Sequence, residues 1–271
     1  MLKHHCTVNH LRIGGGAPVR LMGVINCSPE SFYRDSYIPA GRVHDRALAM
    51  RDAGADMIDL GARSTAPGSP PISVGEEAAR VDAALSELDG TGLTVSVDTR
   101  HPEVLAVSLR HDIHAVNDIS GLADERYARA VADSGLPVFA MASFNEPGDA
   151  VGLAATRKAL EAVVNRCARL EIDEYVLDPA VGRWVGGRTS EDDWELCRNF
   201  SSFLEFGRPV LAAVSRKTFL GDLLGRQPED RLAGTLALTT MLVAAGAAVV
   251  RSHDVAETAD LLRVYAKMGG A

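Results

Sequence analysis

The chain has 271 residues, 46% of them hydrophobic and 24% charged, and a formal net charge of -8. Apolar content of that size supports a large closed core and excludes a disordered chain. The acidic balance, with no run of Lys or Arg, argues against a nucleic-acid partner; an acidic protein that handles an anionic small molecule must gather its few cations at one place.

In chain order, the start from Met1 to Cys6 lacks an apolar stretch before a small-residue cleavage site, so no secretory leader is expected and a cytoplasmic location is. Residues 1–16 read as a short hairpin or cap over the floor of the fold. Beyond them, runs rich in Val, Ile, Leu and Ala alternate with helical segments, which is the pattern of βα units around a parallel sheet. Strands are expected at 19–25, 57–62, 94–98, 115–119, 137–141, 174–177, 209–214 and 248–251. Between them, Ala78, Val81, Ala84, Leu85 and Leu88 recur at three-to-four spacing, as do Leu160, Val163, Val164, Cys167 and Leu170, so each set lays an apolar stripe on the sheet.

Eight strands in a chain close to the roughly 250 residues typical of an α/β barrel predict a single (β/α)8 TIM-barrel domain over 1–271. A doubly wound open sheet is the competing architecture, but Gly14-Gly15-Gly16 is not a GxGxxG after a strand, and no P-loop occurs. The phrase Ala53-Gly-Ala-Asp-Met-Ile58 is echoed by Ala245-Gly-Ala-Ala-Val-Val250, a helix end turning into a strand in both places. The uncharged stretch 233–250 approaches membrane-spanning length, yet Thr235, Thr239, Thr240 and Gly246 interrupt it, and it reads as a helix followed by a strand. No membrane association is expected. Cys6, Cys27, Cys167 and Cys197 show neither CxxC spacing nor a nearby His at zinc-finger distance, so neither disulfides nor a structural metal are expected. Cys27 reads as a packing residue.

Active sites of α/β barrels lie at the carboxyl ends of the strands. There the chain offers Asn26; Arg63-Ser64-Thr65-Ala66-Pro67-Gly68; Asp98-Thr99-Arg100; Asn117-Asp118; Met141 with Asn145-Glu146; Asp178-Pro179; Ser215-Arg216-Lys217; and Arg251-Ser252-His253-Asp254. Any one Asp or Asn could merely cap the next helix. Polar groups at all eight ends are more than a structural barrel requires.

The segments Met22-Gly-Val-Ile-Asn-Cys-Ser-Pro-Glu-Ser-Phe32, Ser96-Val-Asp-Thr99, Asn117-Asp-Ile-Ser-Gly121, Asp178-Pro179, Ser215-Arg-Lys-Thr-Phe-Leu-Gly221 and Arg251-Ser-His-Asp-Val255 resemble, in order, the signatures of dihydropteroate synthases. The resemblance implies a transferase of folate or methanopterin biosynthesis that condenses 6-hydroxymethyl-7,8-dihydropterin diphosphate with an arylamine and releases diphosphate. It implies a pterin pocket of Asp98, Asn117, Asp178 and Lys217, in which Asp98, Asp178 and Lys217 carry the chemistry and Thr65, Pro67, Met141 and Ser215 line the substrates. It also places Asn26, Arg251 and His253 at the leaving group, with Mg2+ on the diphosphate and Asn26 as its protein ligand, and it implies a homodimer built on helices late in the chain. A pterin edge alternates N–H, amino and carbonyl groups, so carboxylates, an amide and an ammonium suit it.

The chain departs from the family pattern at three loops. Ala66 stands where most synthases carry an Arg, and Arg63 or Arg34 is the expected substitute. The stretches Ala180-Val-Gly-Arg-Trp184 and Ala142-Ser-Phe-Asn-Glu-Pro-Gly148 look like the methanopterin-type branch, whose acceptor is a ribofuranosyl-aminobenzene phosphate; Arg183 and Arg188 would then serve its phosphate. Two other functions share the pterin readers: a pterin-dependent methyltransferase and a non-catalytic pterin-binding homologue.

Overall fold

The protein is described by a computed structural model for residues 4–29, 37–63 and 70–269. Strands β1 (His5–Val8) and β2 (Leu11–Gly14) form an antiparallel hairpin. Eight parallel strands follow: β3 (Arg20–Asn26), β4 (Met57–Gly61), β5 (Val95–Asp98), β6 (Ala115–Asp118), β7 (Val138–Met141), β8 (Tyr175–Asp178), β9 (Leu211–Ala212) and β10 (Val249–Ser252). Their order in the sheet is β8-β7-β6-β5-β4-β3-β10-β9, and a parallel bridge from Leu177 to Val210 joins the two ends. Nearest neighbours in sequence are nearest neighbours in space, with no reversal point. The sheet is therefore the expected barrel and not a doubly wound open sheet. The strand expected at 209–214 is shorter than read, because only Leu211 and Ala212 pair with β10.

Helices α1 (Val43–Ala53), α2 (Val74–Ser86), α3 (Pro102–Ser108), α4 (Glu125–Ser134), α5 (Gly152–Arg169), α6 (Ser190–Arg198), α7 (Thr218–Leu224), α8 (Leu232–Ala244) and α9 (Val255–Lys267) surround the barrel. Strand residues alternate between two cores, as a period of two requires. Ile58, Leu60, Val95, Val97, Val138, Ala140 and Leu177 pack outward against the helices. Met22, Met57, Ala115, Phe139, Val176, Leu211 and Val249 fill the barrel interior, where Cys6, Val8, Leu11 and Ile13 of the hairpin join them. The hairpin thus plugs the floor, as expected, and leaves the carboxyl ends of the strands as the open mouth.

The sequence echo has a structural meaning. Gly54 and Gly246 both end a helix in the left-handed region, at φ 113° and 105°, a conformation that favours glycine. After each, two backbone N–H groups continue alike: Ala55 and Ala247 donate back into the helix, then Asp56 and Ala248 donate across to the carbonyls of Leu21 and Val210. The stretch 233–250 resolves into α8, this turn and β10, and among the described residues no helix is long and apolar enough to cross a membrane.

One charge cluster fastens α2 to the end of α3 on the outer wall. The two ring nitrogens of His111 lie 2.7 Å from Asp89 and 3.0 Å from Asp82. Burial opposes the imidazolium, but the two carboxylates outweigh it, and the His111 pKa is raised above its ordinary value. A neutral ring would turn a lone pair toward one carboxylate. The stabilisation is therefore complete below the unfolded pKa of about 6.5 and is lost as pH rises through the raised folded value. His111→Gln should cost on the order of 1 kcal/mol in urea unfolding at pH 6 and clearly less at pH 9. An equal cost at both pH values would contradict this account.

Candidate active site

The mouth is organised around a buried carboxylate in the middle of a strand. Asp59 is fully buried in β4, and its Oδ2 accepts hydrogen bonds from Asn117 Nδ2 at 2.9 Å and from Arg251 Nε at 2.7 Å. Arg251 Nη2 also donates to Asp98 Oδ2 at 3.0 Å. One guanidinium from β10 thus reaches across to carboxylates on β4 and β5, while Asn117 on β6 is oriented from below. Strand register explains the convergence: Asp59 pairs with Ser96, Gly61 with Asp98, and Asp98 with Asn117. Gly61 matters because a Cβ there would lie 3.3 Å from Asp98 Cβ. Asp59 Oδ1 and Ser96 Oγ are buried with no hydrogen-bond partner, which marks polar space at the base of the mouth.

The electrostatics follow from crowding charge in a low-polarity cup. Burial, helped by repulsion from Asp59 and opposed by Arg251, raises the Asp98 pKa to about 7. Burial also raises Asp178 above the usual carboxylate range, against the pull of the Ala180 N–H and Lys217. Burial lowers Lys217 to about 8, with Asp178 opposing the shift and Arg251 adding to it. His253 falls to about 3, through burial and then repulsion from Arg251, Lys217, Arg216 and Arg46, so its ring is neutral at physiological pH. The gathering of cations expected of an acidic protein is present here, from β10 and the segment after β9.

Two strand ends turn sharply to present these groups. Ala180 and Arg216 adopt positive φ of 60° and 52°, uncommon for residues with a side chain. Local bonds hold both. Asp178 Oδ1 accepts from Ala180 N at 2.8 Å, and Trp184 Nε1 donates to the Ala180 carbonyl at 3.0 Å. Arg216 is buried, paired with Asp254 at 2.7 Å, and it donates to the carbonyls of Pro228 and Glu229. Arg216 therefore fixes the turn instead of facing the mouth, while Ser215 Oγ accepts from His253 N at 3.3 Å and ties the last two strand ends together.

The remaining expected residues are placed as follows. Asn26 ends β3, half-buried, with Oδ1 accepting from Ser28 N at 2.9 Å. Met141 is buried at the end of β7, where its backbone pairs with Asp178. Asp118 supports the plain structural reading: it accepts from Ser120 N, Ser120 Oγ and Leu122 N and shapes the turn after β6. Thr65, Pro67, Ala66 and Arg34 lie outside the described residues.

The arginines depart from expectation. Arg183 does not join the cluster; it is exposed, 3.4 Å from Asp222, because the inward place in its turn belongs to Trp184. Arg188 is fully buried against Asp193, which also accepts from Gly182 N, so it braces the loop after β8. Arg63, offered as the substitute for the absent loop arginine, is held by the buried Glu77, which accepts from Thr99 Oγ1 as well.

A protein-family model described as pterin binding enzyme matches residues 22–253. The chain belongs to the pterin-binding enzyme family. Among curated proteins of this family it is 34% identical to the dihydropteroate synthase of Escherichia coli K12 over 259 residues, covering 90% of this chain and 89% of the relative. Among solved structures it is similar to Xanthomonas albilineans dihydropteroate synthase with 4-aminobenzoic acid, with a TM-score of 0.87, 31% identity and 99% coverage of both chains. The same enzyme in complex with 7,8-dihydropteroate gives a TM-score of 0.82 at 30% identity, covering 98% of this chain and 99% of that one.

Asp59 and Glu77 were missed in the sequence, since neither follows an apolar run; a lone Asp inside Met57-Ile-Asp-Leu-Gly61 is the signal that could have found the first. Removing one partner of a buried pair leaves an uncompensated charge, so Asp59→Ala should lower the unfolding free energy by on the order of 3 kcal/mol. In urea titrations the double variant Asp59→Ala/Arg251→Met should lose less than the sum of the single changes. Additive losses would show that the two side chains do not act as a pair.

Proposed function

We propose that the barrel mouth condenses a dihydropterin diphosphate with an arylamine and releases diphosphate, as a dihydropteroate synthase of folate biosynthesis. The observation that carries this reading is the convergence of Asp98, Asn117, Asp178 and Lys217 beside Arg251 at the carboxyl ends of the strands, in a chain whose relatives over nearly its full length are dihydropteroate synthases. In it, Asp98 and Asp178 accept from the amino and ring N–H groups of the pterin. Asn117, with one N–H given to Asp59, reads a donor and an acceptor, and Lys217 donates to the ring carbonyl. Met141 lies under the ring, and Ser215 borders the substrates.

The bond between the pterin methylene and the bridging oxygen breaks with its electron pair leaving on diphosphate. The resulting cation is delocalised into the ring, the arylamine nitrogen attacks it, and an amine proton is lost to solvent. Arg251 and Lys217 favour departure by meeting the developing negative charge, and the neutral His253 contributes an N–H donor. No nucleophilic side chain is needed, and the thiol of Cys27, raised to about 12 by burial, is unsuited to that part.

The chemistry of the donor set is compatible with Mg2+. Among the described residues no group of three His, Cys, Asp or Glu side chains is placed to cage a metal, whereas the Asn26 side-chain oxygen is a hard neutral donor that suits Mg2+ when diphosphate supplies the other ligands. Bound there, the ion would add positive charge at the leaving group. The acceptor is read as 4-aminobenzoate. The alternative ribofuranosyl-aminobenzene phosphate rests on the altered loops, while the two arginines assigned to its phosphate are engaged by Asp222 and Asp193. We also propose a homodimer through the late helices, where Leu223, Met241 and Val264 are exposed on α7, α8 and α9; light scattering giving a monomer would contradict it.

Incubation with the pterin diphosphate, Mg2+ and each acceptor in turn should release diphosphate, with turnover on 4-aminobenzoate exceeding that on the ribosyl phosphate. Lys217→Ala and Asp178→Asn should each lower kcat/KM by about 10–100-fold. Because the raised Asp98 must be ionised to accept from the pterin, binding measured by calorimetry should weaken as pH falls below about 7, and Asp98→Asn should reduce that dependence, leaving the part carried by Asp178. Absence of diphosphate release with both acceptors would overturn the reading.

A further inference from the structure

Lys217 lies where β9 passes into α7, and charged groups of both signs face it. Asp178 from β8 and Asp193 from α6 favour its ammonium, while Arg251 from β10 and Arg188 from the segment before α6 oppose it. Burial outweighs the two carboxylates and disfavours the ammonium. A further neighbour is aromatic: Lys217 Nζ lies 4.9 Å from the centroid of the Trp184 ring, within the range of a cation–π contact.

Trp184 occupies that place because several features shape it. Its Nε1 donates to the Ala180 carbonyl at 3.0 Å, which fixes the ring edge. Behind it stands Gly148, where a Cβ would fall 2.2 Å from Trp184 Cβ and Cγ, so only glycine leaves room. In front, a Cβ at Gly182 would lie 3.0 Å from Lys217 Nζ. Gly182 is in turn held by Asp193 through its N–H at 2.8 Å, and Asp193 is anchored by the buried Arg188. Two loops, after β7 and after β8, are therefore fitted around one indole and one ammonium.

We propose that Trp184 is a positioning residue that holds Lys217 in its charged form against the wall of the barrel mouth. An aromatic face stabilises an ammonium and offers nothing comparable to a neutral amine, so the ring both places the amine and keeps its proton. The consequence for function rests on the reading of Lys217 as a substrate-binding group, so the first measurement is made on the unliganded protein and needs no turnover.

Competitive acetylation with acetic anhydride across pH 6–10, quantified by mass spectrometry, reports the protonation of Lys217 against the exposed Lys158 and Lys267. In the parent protein Lys217 should become reactive with a midpoint near 8. Trp184→Leu, which keeps bulk and removes the ring face, should lower that midpoint by roughly half to one and a half pH units. Trp184→Phe should lower it less, and the two exposed lysines should not change. Thermal melts establish which variants are folded, and if Trp184→Leu is not, Trp184→Phe decides the matter alone. An unchanged or raised midpoint in a folded variant overturns the proposal. Where the parent condenses its substrates, the alkaline limb of its kcat/KM profile should move to lower pH in the variants by the same amount, with kcat near pH 6.5 held within about two-fold; a uniform fall at all pH values would indicate a structural role only. A parent without turnover would count against the proposed function and leave the labelling result to judge Trp184.

Discussion

The mouth of this barrel depends on a single compensated charge cluster, Asp59 and Asp98 sharing the guanidinium of Arg251. A carboxylate with no exposure to solvent is costly unless a cation and hydrogen bonds replace its water. Strand register brings the three together from β4, β5 and β10, and the planar guanidinium can serve two carboxylates at once, which an ammonium at that point could not do with the same geometry. The pair also orients Asn117, since its amide must give an N–H to Asp59. Its remaining donor and its oxygen are then left for whatever enters the mouth. Positioning of the proposed readers is thus built from beneath, by a residue too deep to meet a large part of any ligand.

A second layer of support sits outside the cup. Arg216 with Asp254 and Arg188 with Asp193 are buried ion pairs within the loops that carry Lys217 and Asp178. Each holds a turn that the backbone would not choose unaided, at Arg216 itself and around Gly182. With both cations paired inside the loops, Arg251 and Lys217 are the cations that the described strand ends bring beside Asp98 and Asp178. Burial, and then their proximity, account for the neutral His253. A protein with a net charge of -8 thereby presents a local positive field at one strand edge of the mouth, opposite its acidic wall.

The barrel was legible because period and punctuation agree along the chain: all eight parallel strands lie where apolar runs predicted them, and the glycine echo at Gly54 and Gly246 marks the same turn twice. The hairpin over the floor was legible as well. Polar residues at strand ends located the mouth, but not what each does there. Asp118 and Arg216 carry the same sequence signal as Asn117 and Lys217, yet they are turned toward the surrounding helices and loops. The difference lies in the path of the chain after the strand, which no local pattern encodes. Arg188 illustrates this best, for its partner Asp193 is five residues along in the next helix, and only the wrapping of that loop buries the pair. Asp59 was overlooked for the opposite reason: it sits two residues below the rim, inside an apolar run.

Arg251 has two roles that compete. Its donors are given to Asp59 and Asp98, whereas a ligand that occupies Asp98 with its own N–H groups would take away one of those acceptors. Asp59, having no exposed surface and one oxygen already bound to Asn117, would still hold Nε. The guanidinium would then keep its anchor while freeing its outer nitrogens toward an anionic group beside the ring. Filling of the acidic wall and availability of the cation would then be coupled through one planar side chain, with the buried Asp59 as its anchor.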